Sequence, residues 1–131
     1  MDHIFKYTIQ ETDLDFLGHV NNATYVRIYE QARWQLLLDK GHTLKDIRKS
    51  QQSPVILSIK IDYLKELTAR QVIEVHTKFI EFKNKVGQLK QHMLISGTDT
   101  IACKADISYG IFDMKERKLI APSQAWLDII L

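Results

Sequence analysis

The sequence predicts an α+β domain in which an antiparallel five-stranded sheet packs on one long helix. Apolar and polar residues alternate in five segments, which is the period of half-buried strands. Between the first and second of these segments, residues 22–40 place apolar side chains three and four positions apart, the spacing of a helix. A helix that covers one face of an antiparallel sheet is an α+β arrangement. The length of 131 residues fits one domain, residues 1–131.

The first two elements and their connection have local signals. A strand is predicted over residues 3–12, where apolar side chains occupy odd-numbered positions. The long helix follows, and Asn21 or Asn22 suits its N-cap, while Gly41 suits its C-terminal cap. Residues 43–53 are polar, which predicts a short helix or a loop.

Four more strands are predicted where apolar residues again alternate, over residues 55–63, 73–79, 89–95 and 101–111. The three connections between these four strands are short, polar and rich in turn-forming residues, at residues 67–70, 83–85 and 96–99. We therefore expect these four strands to form a hairpin-connected meander, followed by an amphipathic turn after Pro122. The sheet edges carry no obvious protection, so we expect self-association through an edge.

The composition is that of an ordinary globular protein, with 45% hydrophobic and 26% charged residues. The formal net charge of +2 gives no argument for binding to nucleic acid or to an anionic membrane. Cys103 is the only cysteine and the five histidines lack metal-ligand spacing, so neither a disulfide nor a metal site is predicted. Without a secretory leader or an apolar run of membrane-spanning length, the expected location is cytoplasmic.

Asp13 and Asp15 lie in the connection between the first strand and the long helix. A solvated turn is their simplest interpretation, since Asp is common in turns. A functional interpretation rests on position, because the first N–H groups of a helix have no intrahelical partner and can bind a developing oxyanion. A nearby carboxylate can act as general base on water or attack a carbonyl itself. Together these groups suit acyl transfer.

Other reactive side chains have mainly structural interpretations. No nucleophile elbow accompanies His19, so hydrogen bonding at the loop or helix start is favoured over a direct catalytic role. Cys103 falls on the apolar face of a strand and is interpreted as a core residue. Glu30 and Arg33 are three residues apart on the helix, which favours an ion pair.

The run DLDFLGHVNNATY at residues 13–25, followed by EQARW at 30–34, resembles the signature of the 4-hydroxybenzoyl-CoA thioesterase-like hotdog-fold family. It is most similar to the branch of bacterial acyl-CoA thioesterases that carry His-Val-Asn-Asn before the central helix. The resemblance implies a hotdog fold, in which the sheet wraps around that helix. It also implies a homodimer joined through sheet edges, often paired into a homotetramer, with active sites at the subunit interface and no metal or redox cofactor.

The resemblance also implies roles for individual residues. Asp15 matches the catalytic carboxylate of the family, and Asp13 matches a less constant partner that contributes to substrate binding. Asn22 matches the position whose backbone N–H polarises the thioester carbonyl. Tyr25 matches an aromatic residue that helps to shape the pocket.

Lys83 and Lys85 lie in a predicted turn that resembles the basic turn used by relatives against the nucleotide phosphates of CoA, although a solvated turn is the simpler interpretation. Hydroxybenzoyl-type members carry apolar or aromatic residues where 19–21 stand, so this sequence favours an aliphatic acyl group. The predicted function is hydrolysis of a fatty acyl-CoA to the free acid and CoA. The alternatives are a thioesterase acting on acyl carrier protein and a non-catalytic acyl-CoA-binding module on the same fold.

Overall fold

The computed structural model of the chain describes residues 2–131. Over these residues the chain forms six strands and three α-helices, and both predicted kinds of element are present. In chain order the elements are β1 (His3–Thr8), a 3-10 turn (Glu11–Asp13), α1 (Asn22–Asp39), α2 (Leu44–Ser50), β2 (Gln52–Tyr63), β3 (Val72–Lys83), β4 (Val86–Ile95), β5 (Ile101–Asp113), β6 (Lys118–Ile120) and α3 (Gln124–Ile130).

The first strand is shorter than predicted, because β1 ends at Thr8 rather than at residue 12. Ile9 continues the apolar pattern and is buried, but the backbone N–H of Gln10 donates to the carboxylate of Asp13 at 2.8 Å. This bond closes a 3-10 turn and redirects the chain away from the sheet. The alternation of apolar and polar side chains therefore continues beyond the last residue of β1.

The long helix α1 begins and ends as predicted. The side-chain Oδ1 of Asn21 accepts the Ala23 N–H at 2.9 Å, which makes Asn21 the N-cap. At the other end Gly41 has a φ of 79°, in the left-handed region that glycine adopts without strain. The His42 N–H then donates to the Leu37 carbonyl at 2.8 Å, the bond of a Schellman cap.

The strand order in the sheet is β1-β3-β4-β5-β2, all antiparallel, and the short β6 pairs with the last residues of β5. The predicted meander is correct for β3, β4 and β5 but wrong for β2, which pairs with β5 rather than with β3. The connection 64–71 carries the chain across the sheet instead of reversing it. It is anchored by Leu67, which is fully buried and accepts the Val20 N–H through its carbonyl at 2.8 Å.

The core lies between α1 and one face of the sheet. The helix buries Tyr25, Ile28, Tyr29, Ala32, Leu36 and Leu37, and the strands contribute alternate residues to the same cluster. Cys103 is fully buried in it, as predicted, and burial raises the pKa of its thiol. No helix in the described part of the chain is long and apolar enough to cross a membrane.

Candidate functional site

A cleft of about 400 Å³ opens beside the N-terminus of α1. The loop before the helix and the first helical turn form one wall, and the end of β2 with the connection that follows forms the other. The lining residues are Asp15, His19, Val20, Asn22, Tyr25, Tyr63, Leu64, Lys65 and Glu66. Four residues singled out by the sequence, Asp15, His19, Asn22 and Tyr25, therefore share one cleft.

The loop before α1 is a tight turn between two short antiparallel ends. Leu14 and Val20 form an isolated β-bridge. Between them the Asp15 N–H donates to the His19 carbonyl at 3.0 Å, and the Gly18 N–H donates to the Asp15 carbonyl at 3.1 Å. Gly18 has a φ of 88°, which glycine adopts without strain and which allows the chain to reverse. The closed turn holds Asp15 at the cleft.

The Asp15 carboxylate is half-buried and only partly engaged. Its Oδ1 accepts the Leu17 N–H at 2.8 Å, while Oδ2 has no hydrogen-bond partner among the described residues. One oxygen thus fixes the orientation of the side chain within its own turn. The other is available to accept a proton from water or to attack a carbonyl carbon.

The first turn of α1 offers one free backbone donor. The Ala23 N–H is taken by the Asn21 side chain, and the Thr24 N–H donates to the Asn21 carbonyl at 2.9 Å. The Asn22 N–H has no acceptor in residues 2–131, and it lies at the positive end of the helix dipole. Such a donor can stabilise negative charge that develops on a carbonyl oxygen.

Tyr63 joins the two walls of the cleft. Its hydroxyl donates to the Asn22 carbonyl at 3.0 Å, and its ring meets the Tyr25 ring edge to face, with centroids 5.1 Å apart. Tyr25 itself is buried, and burial raises its pKa to about 12. The two tyrosines therefore fix the helix start against the end of β2.

Asp13 does not line the cleft, so the substrate-binding role expected for it is not supported. Its side chain is 2% exposed. The carboxylate accepts the Tyr7 hydroxyl at 2.8 Å, the Gln10 N–H at 2.8 Å and an Arg27 N–H at 3.2 Å. Burial, with the added effect of Asp13, raises the pKa of Tyr7 to about 12. Asp13 holds the loop and the helix together.

We predict that Asp13→Ala destabilises the protein by about 2 kcal/mol, because it removes the buried acceptor of the partly buried Tyr7 hydroxyl and Gln10 N–H. Urea unfolding followed by circular dichroism measures the change. Asp99→Ala is the matched control; Asp99 is exposed, so a change within about 0.5 kcal/mol is expected there. A loss below about 1 kcal/mol for Asp13→Ala would show that the buried network contributes little.

His19 and the two lysines differ in their relation to the cleft. His19 borders it, with Nε2 at 3.8 Å from a carboxylate oxygen of Glu66 on the opposite wall. Lys83 and Lys85 flank the β3–β4 turn and are exposed, and the Lys83 ammonium lies 3.7 Å from the Glu81 carboxylate. That turn is at the far end of β3, about 36 Å along the strand from the connection that borders the cleft. The structure therefore does not bring these lysines to the cleft of their own chain.

Glu30 and Arg33 do not form the ion pair that their spacing favoured, since no salt bridge joins them within the described residues. The Arg33 Nη1 instead donates to the Oε1 of Gln91 at 2.9 Å, and Glu30 accepts the Trp34 Nε1–H at 3.3 Å. Gln91 is buried on β4. Burial lowers the pKa of Arg33. The preferred partner comes from a strand distant in sequence, which helical spacing cannot reveal.

The residues at the end of β2 that border the cleft are not among those that the sequence singles out; they are Tyr63, Leu64, Lys65 and Glu66. Their position depends on the pairing of β2 with β5 and on the connection that crosses the sheet. Within residues 2–131, no group of three or more His, Cys, Asp or Glu side chains is arranged to hold a metal ion.

The chain is similar to known proteins along most of its length. Residues 9–129 match the model of the Thioesterase-like superfamily. The long-chain acyl-CoA thioesterase FadM of Escherichia coli (strain K12) is 25% identical over 108 residues, which cover 82% of this chain and 81% of that protein.

Solved structures share the fold. A hypothetical protein of Staphylococcus aureus, determined in complex with CoA, superposes with a TM-score of 0.91 at 18% identity, over 99% of this chain and 82% of the other. A 1,4-dihydroxy-2-naphthoyl-CoA thioesterase from Synechocystis gives a TM-score of 0.89 at 14% identity, over 99% and 96% of the two chains. These likenesses confirm the predicted α+β hotdog fold, with β6 as a sixth short strand beyond the five predicted.

Proposed function

The chain belongs to the Thioesterase-like superfamily, and from that membership we propose that its cleft hydrolyses an acyl-CoA thioester to the free acid and CoA. One observation carries the proposal. The Asp15 carboxylate, with one oxygen hydrogen-bonded, and the Asn22 N–H, which has no acceptor within residues 2–131, border the same cleft. The acyl-CoA named for the Escherichia coli relative and the CoA bound to the Staphylococcus aureus protein support CoA as the thiol carrier.

Hydrolysis proceeds in two stages when Asp15 acts as a general base. The carboxylate takes a proton from water as the water oxygen attacks the thioester carbon, and the carbonyl oxygen becomes an oxyanion that accepts the Asn22 N–H. The tetrahedral intermediate then collapses, the carbon–sulfur bond breaks, and Asp15 returns the proton to the leaving CoA thiolate. If Asp15 attacks the carbon itself, CoA leaves from a mixed anhydride, which water then cleaves. Both routes need the same carboxylate and the same donor.

The other cleft residues have supporting roles in this proposal. Tyr25 forms the buried wall behind the reacting carbonyl, and Tyr63 positions the helix start through the Asn22 carbonyl. His19 faces Glu66 across the cleft, with its Nε2 3.8 Å from a carboxylate oxygen, and helps to hold the two walls together.

The proposed active form is a homodimer, or a homotetramer built from it, joined through the free edge of β2. Among the strands of the described residues this one pairs only with β5, and its Ile56 and Leu57 are 39% and 45% exposed. An unpaired edge with exposed apolar side chains favours association with a second copy. Lys83 and Lys85, which are remote from the cleft of their own chain, would in this arrangement serve the phosphates of CoA bound by the partner subunit.

We predict that the double change Lys83→Ala and Lys85→Ala raises KM for an acyl-CoA about tenfold with little change in kcat, because phosphate contacts act equally in the ground and transition states. The difference shrinks as salt is added. The matched control is Lys90→Ala with Lys104→Ala, two exposed lysines on the outer face of the sheet. An equal KM in the two double variants would show that Lys83 and Lys85 do not contribute to the binding of CoA.

The proposed function is tested by measuring thiol release from one acyl group carried on CoA and on acyl carrier protein. Turnover of the CoA ester at the higher kcat/KM is the expected result. A higher kcat/KM for the carrier-protein ester would show that the enzyme prefers acyl carrier protein to CoA as the carrier of the acyl group. Tight binding of acyl-CoA without turnover of either ester would show a binding module instead of an enzyme.

A further inference from the structure

One end of the sheet carries a group of cations that the proposed reaction does not use. It consists of residues 40–52, which include α2, and residues 113–118, which connect β5 to β6. We call these two segments the basic end. They hold seven of the 18 Lys and Arg residues but three of the 16 acidic residues, so their formal charge is +4, although that of the whole chain is +2. The seven cations are Lys40, Lys45, Arg48, Lys49, Lys115, Arg117 and Lys118.

The two segments of the basic end are neighbours because of the strand pairing. Gln52, the first residue of β2, pairs with Asp113, the last residue of β5. The Met114 N–H donates to the Gln51 carbonyl at 2.8 Å, which ties the β5–β6 turn to the end of α2. The helix α2 is itself fixed to the rest of the protein by Ile47, which is buried. The cations of both segments therefore share one region of the surface.

The cations of the basic end are not neutralised by ion pairs. All seven side chains are exposed, and no salt bridge within the described residues involves any of them. The Asp46 carboxylate accepts the Thr43 N–H at 2.7 Å. The Asp113 carboxylate accepts the N–H groups of Lys115 and Glu116, both at 2.9 Å. Two of the three acidic residues therefore bind backbone donors, and the positive charge is available to a negatively charged partner.

The uncharged side chains of the basic end favour a lipid surface over a nucleic acid as that partner. Leu44, the first residue of α2, is 52% exposed among these cations. An aliphatic side chain beside cations can insert between lipid headgroups, whereas single-stranded nucleic acids are held by aromatic side chains that stack on bases. Two aromatic rings at this end are already engaged. The Arg117 guanidinium lies 5.1 Å from the centre of the Phe112 ring. The His42 ring packs against Trp126.

We propose that the basic end docks the protein on a membrane surface that contains anionic phospholipids, with its cations at the headgroup phosphates and Leu44 between the headgroups. The association is peripheral, because the negative surface potential of such a membrane attracts cations within a Debye length, about 8 Å at physiological salt. Each Lys or Arg close to that surface strengthens binding about fivefold. No residue of the basic end lines the cleft, so docking does not occupy the cleft.

Cosedimentation of the full chain with lipid vesicles tests the docking. Phosphatidylcholine vesicles that contain about one-third phosphatidylserine are expected to bind the protein at low salt, and vesicles of phosphatidylcholine alone are not. The bound fraction is expected to fall steeply as sodium chloride is raised to about 0.5 M. Equal binding to both kinds of vesicle, or binding to neither, overturns the proposal. The assay does not depend on turnover, so its outcome is separate from that of the proposed hydrolysis.

Charge-neutral variants assign the binding to the basic end. A variant of α2 carries Lys45→Gln, Arg48→Gln and Lys49→Gln, and its affinity for the phosphatidylserine vesicles is expected to be at least about 30-fold lower. The matched control removes three exposed lysines that form no salt bridge and lie on β2, β3 and β5, with an expected change within about twofold. Its substitutions are Lys60→Gln, Lys78→Gln and Lys104→Gln. Equal losses in the two variants would assign the binding to total charge and overturn the proposal.

A variant of the β5–β6 turn keeps the test decisive if the α2 variant loses its fold by circular dichroism. It carries Lys115→Gln and Lys118→Gln, outside any helix, and its affinity for the vesicles is expected to be at least about tenfold lower. Unchanged affinity in this variant contradicts the docking surface.

Other occupants of the basic end give different results in the same variants. The turn with Lys83 and Lys85 lies at the same end of the sheet, since Gly87 at the start of β4 pairs with Tyr109 near the end of β5. KM for butanoyl-CoA is nevertheless expected to be unchanged in the α2 variant; a tenfold rise would make the basic end part of the CoA site and overturn the proposal. Tighter binding to duplex DNA or to an acidic carrier protein than to the vesicles, lost in the α2 variant, would overturn it in favour of that partner.

Discussion

Asp15→Asn is expected to lower kcat for acyl-CoA hydrolysis by about 10²–10⁴-fold, with a much smaller change in KM. An amide neither accepts the proton of attacking water nor attacks a thioester itself. The substitution keeps an oxygen that can accept the Leu17 N–H, so the turn that carries residue 15 is preserved. The loss therefore reports on chemistry rather than on folding, and initial rates of thiol release measure it.

Asp99→Asn is the matched control for that experiment, because Asp99 is an exposed aspartate in the β4–β5 turn, away from the cleft. Its rate is expected to stay within about twofold of the unmodified protein, in line with a surface change. A loss of less than about fivefold for Asp15→Asn would mean that another group activates the nucleophile.

Asn22→Pro is expected to lower kcat by about 10²–10³-fold, because it deletes the backbone N–H proposed to bind the oxyanion, at a residue that lines the cleft. Proline is well tolerated at the first helical position, where the N–H has no intrahelical acceptor. The preceding Asn21 has φ of −63° and ψ of 140°, which a following proline favours. The helix is therefore expected to persist while the donor is lost.

Asn22→Ala is the comparison that isolates the donor, since it shortens the side chain and keeps the N–H. The proline variant is expected to turn over at least about 30-fold more slowly than the alanine variant, at equal helix content by circular dichroism. Equal rates in the two variants would show that the oxyanion is stabilised elsewhere.

The parts of the fold that depend on local chemistry could be predicted from the sequence. The bounds of α1 follow from a side-chain cap at Asn21 and a left-handed glycine at Gly41, both within one turn of the helix ends. The pairing of β2 could not be predicted, because alternation gives the face of a strand but not its neighbour. The end of β1 could not be predicted for a related reason, because the Gln10 N–H donates to the Asp13 side chain and not to the backbone of a neighbouring strand.

The candidate site divides in the same way. Residues 15–25 are contiguous, so one segment brings Asp15, Asn22 and Tyr25 to the cleft and makes them visible in sequence. The opposite wall, Tyr63 to Glu66, arrives through the crossing connection and carries no local signal. Asp13 and Arg33 show the same limit, because the partners that decide their roles include side chains on β1 and β4.

The central claim, that this cleft is an acyl-CoA thioesterase site built on Asp15, is tested most directly by quantifying CoA thiol and free acid from dodecanoyl-CoA with the unmodified protein and Asp15→Asn side by side. The unmodified protein is expected to give many turnovers with thiol and acid in equal amounts, and Asp15→Asn a rate at least about 100-fold lower. Equal rates for the two proteins, or no turnover by the unmodified protein while it binds the ester, would contradict the claim.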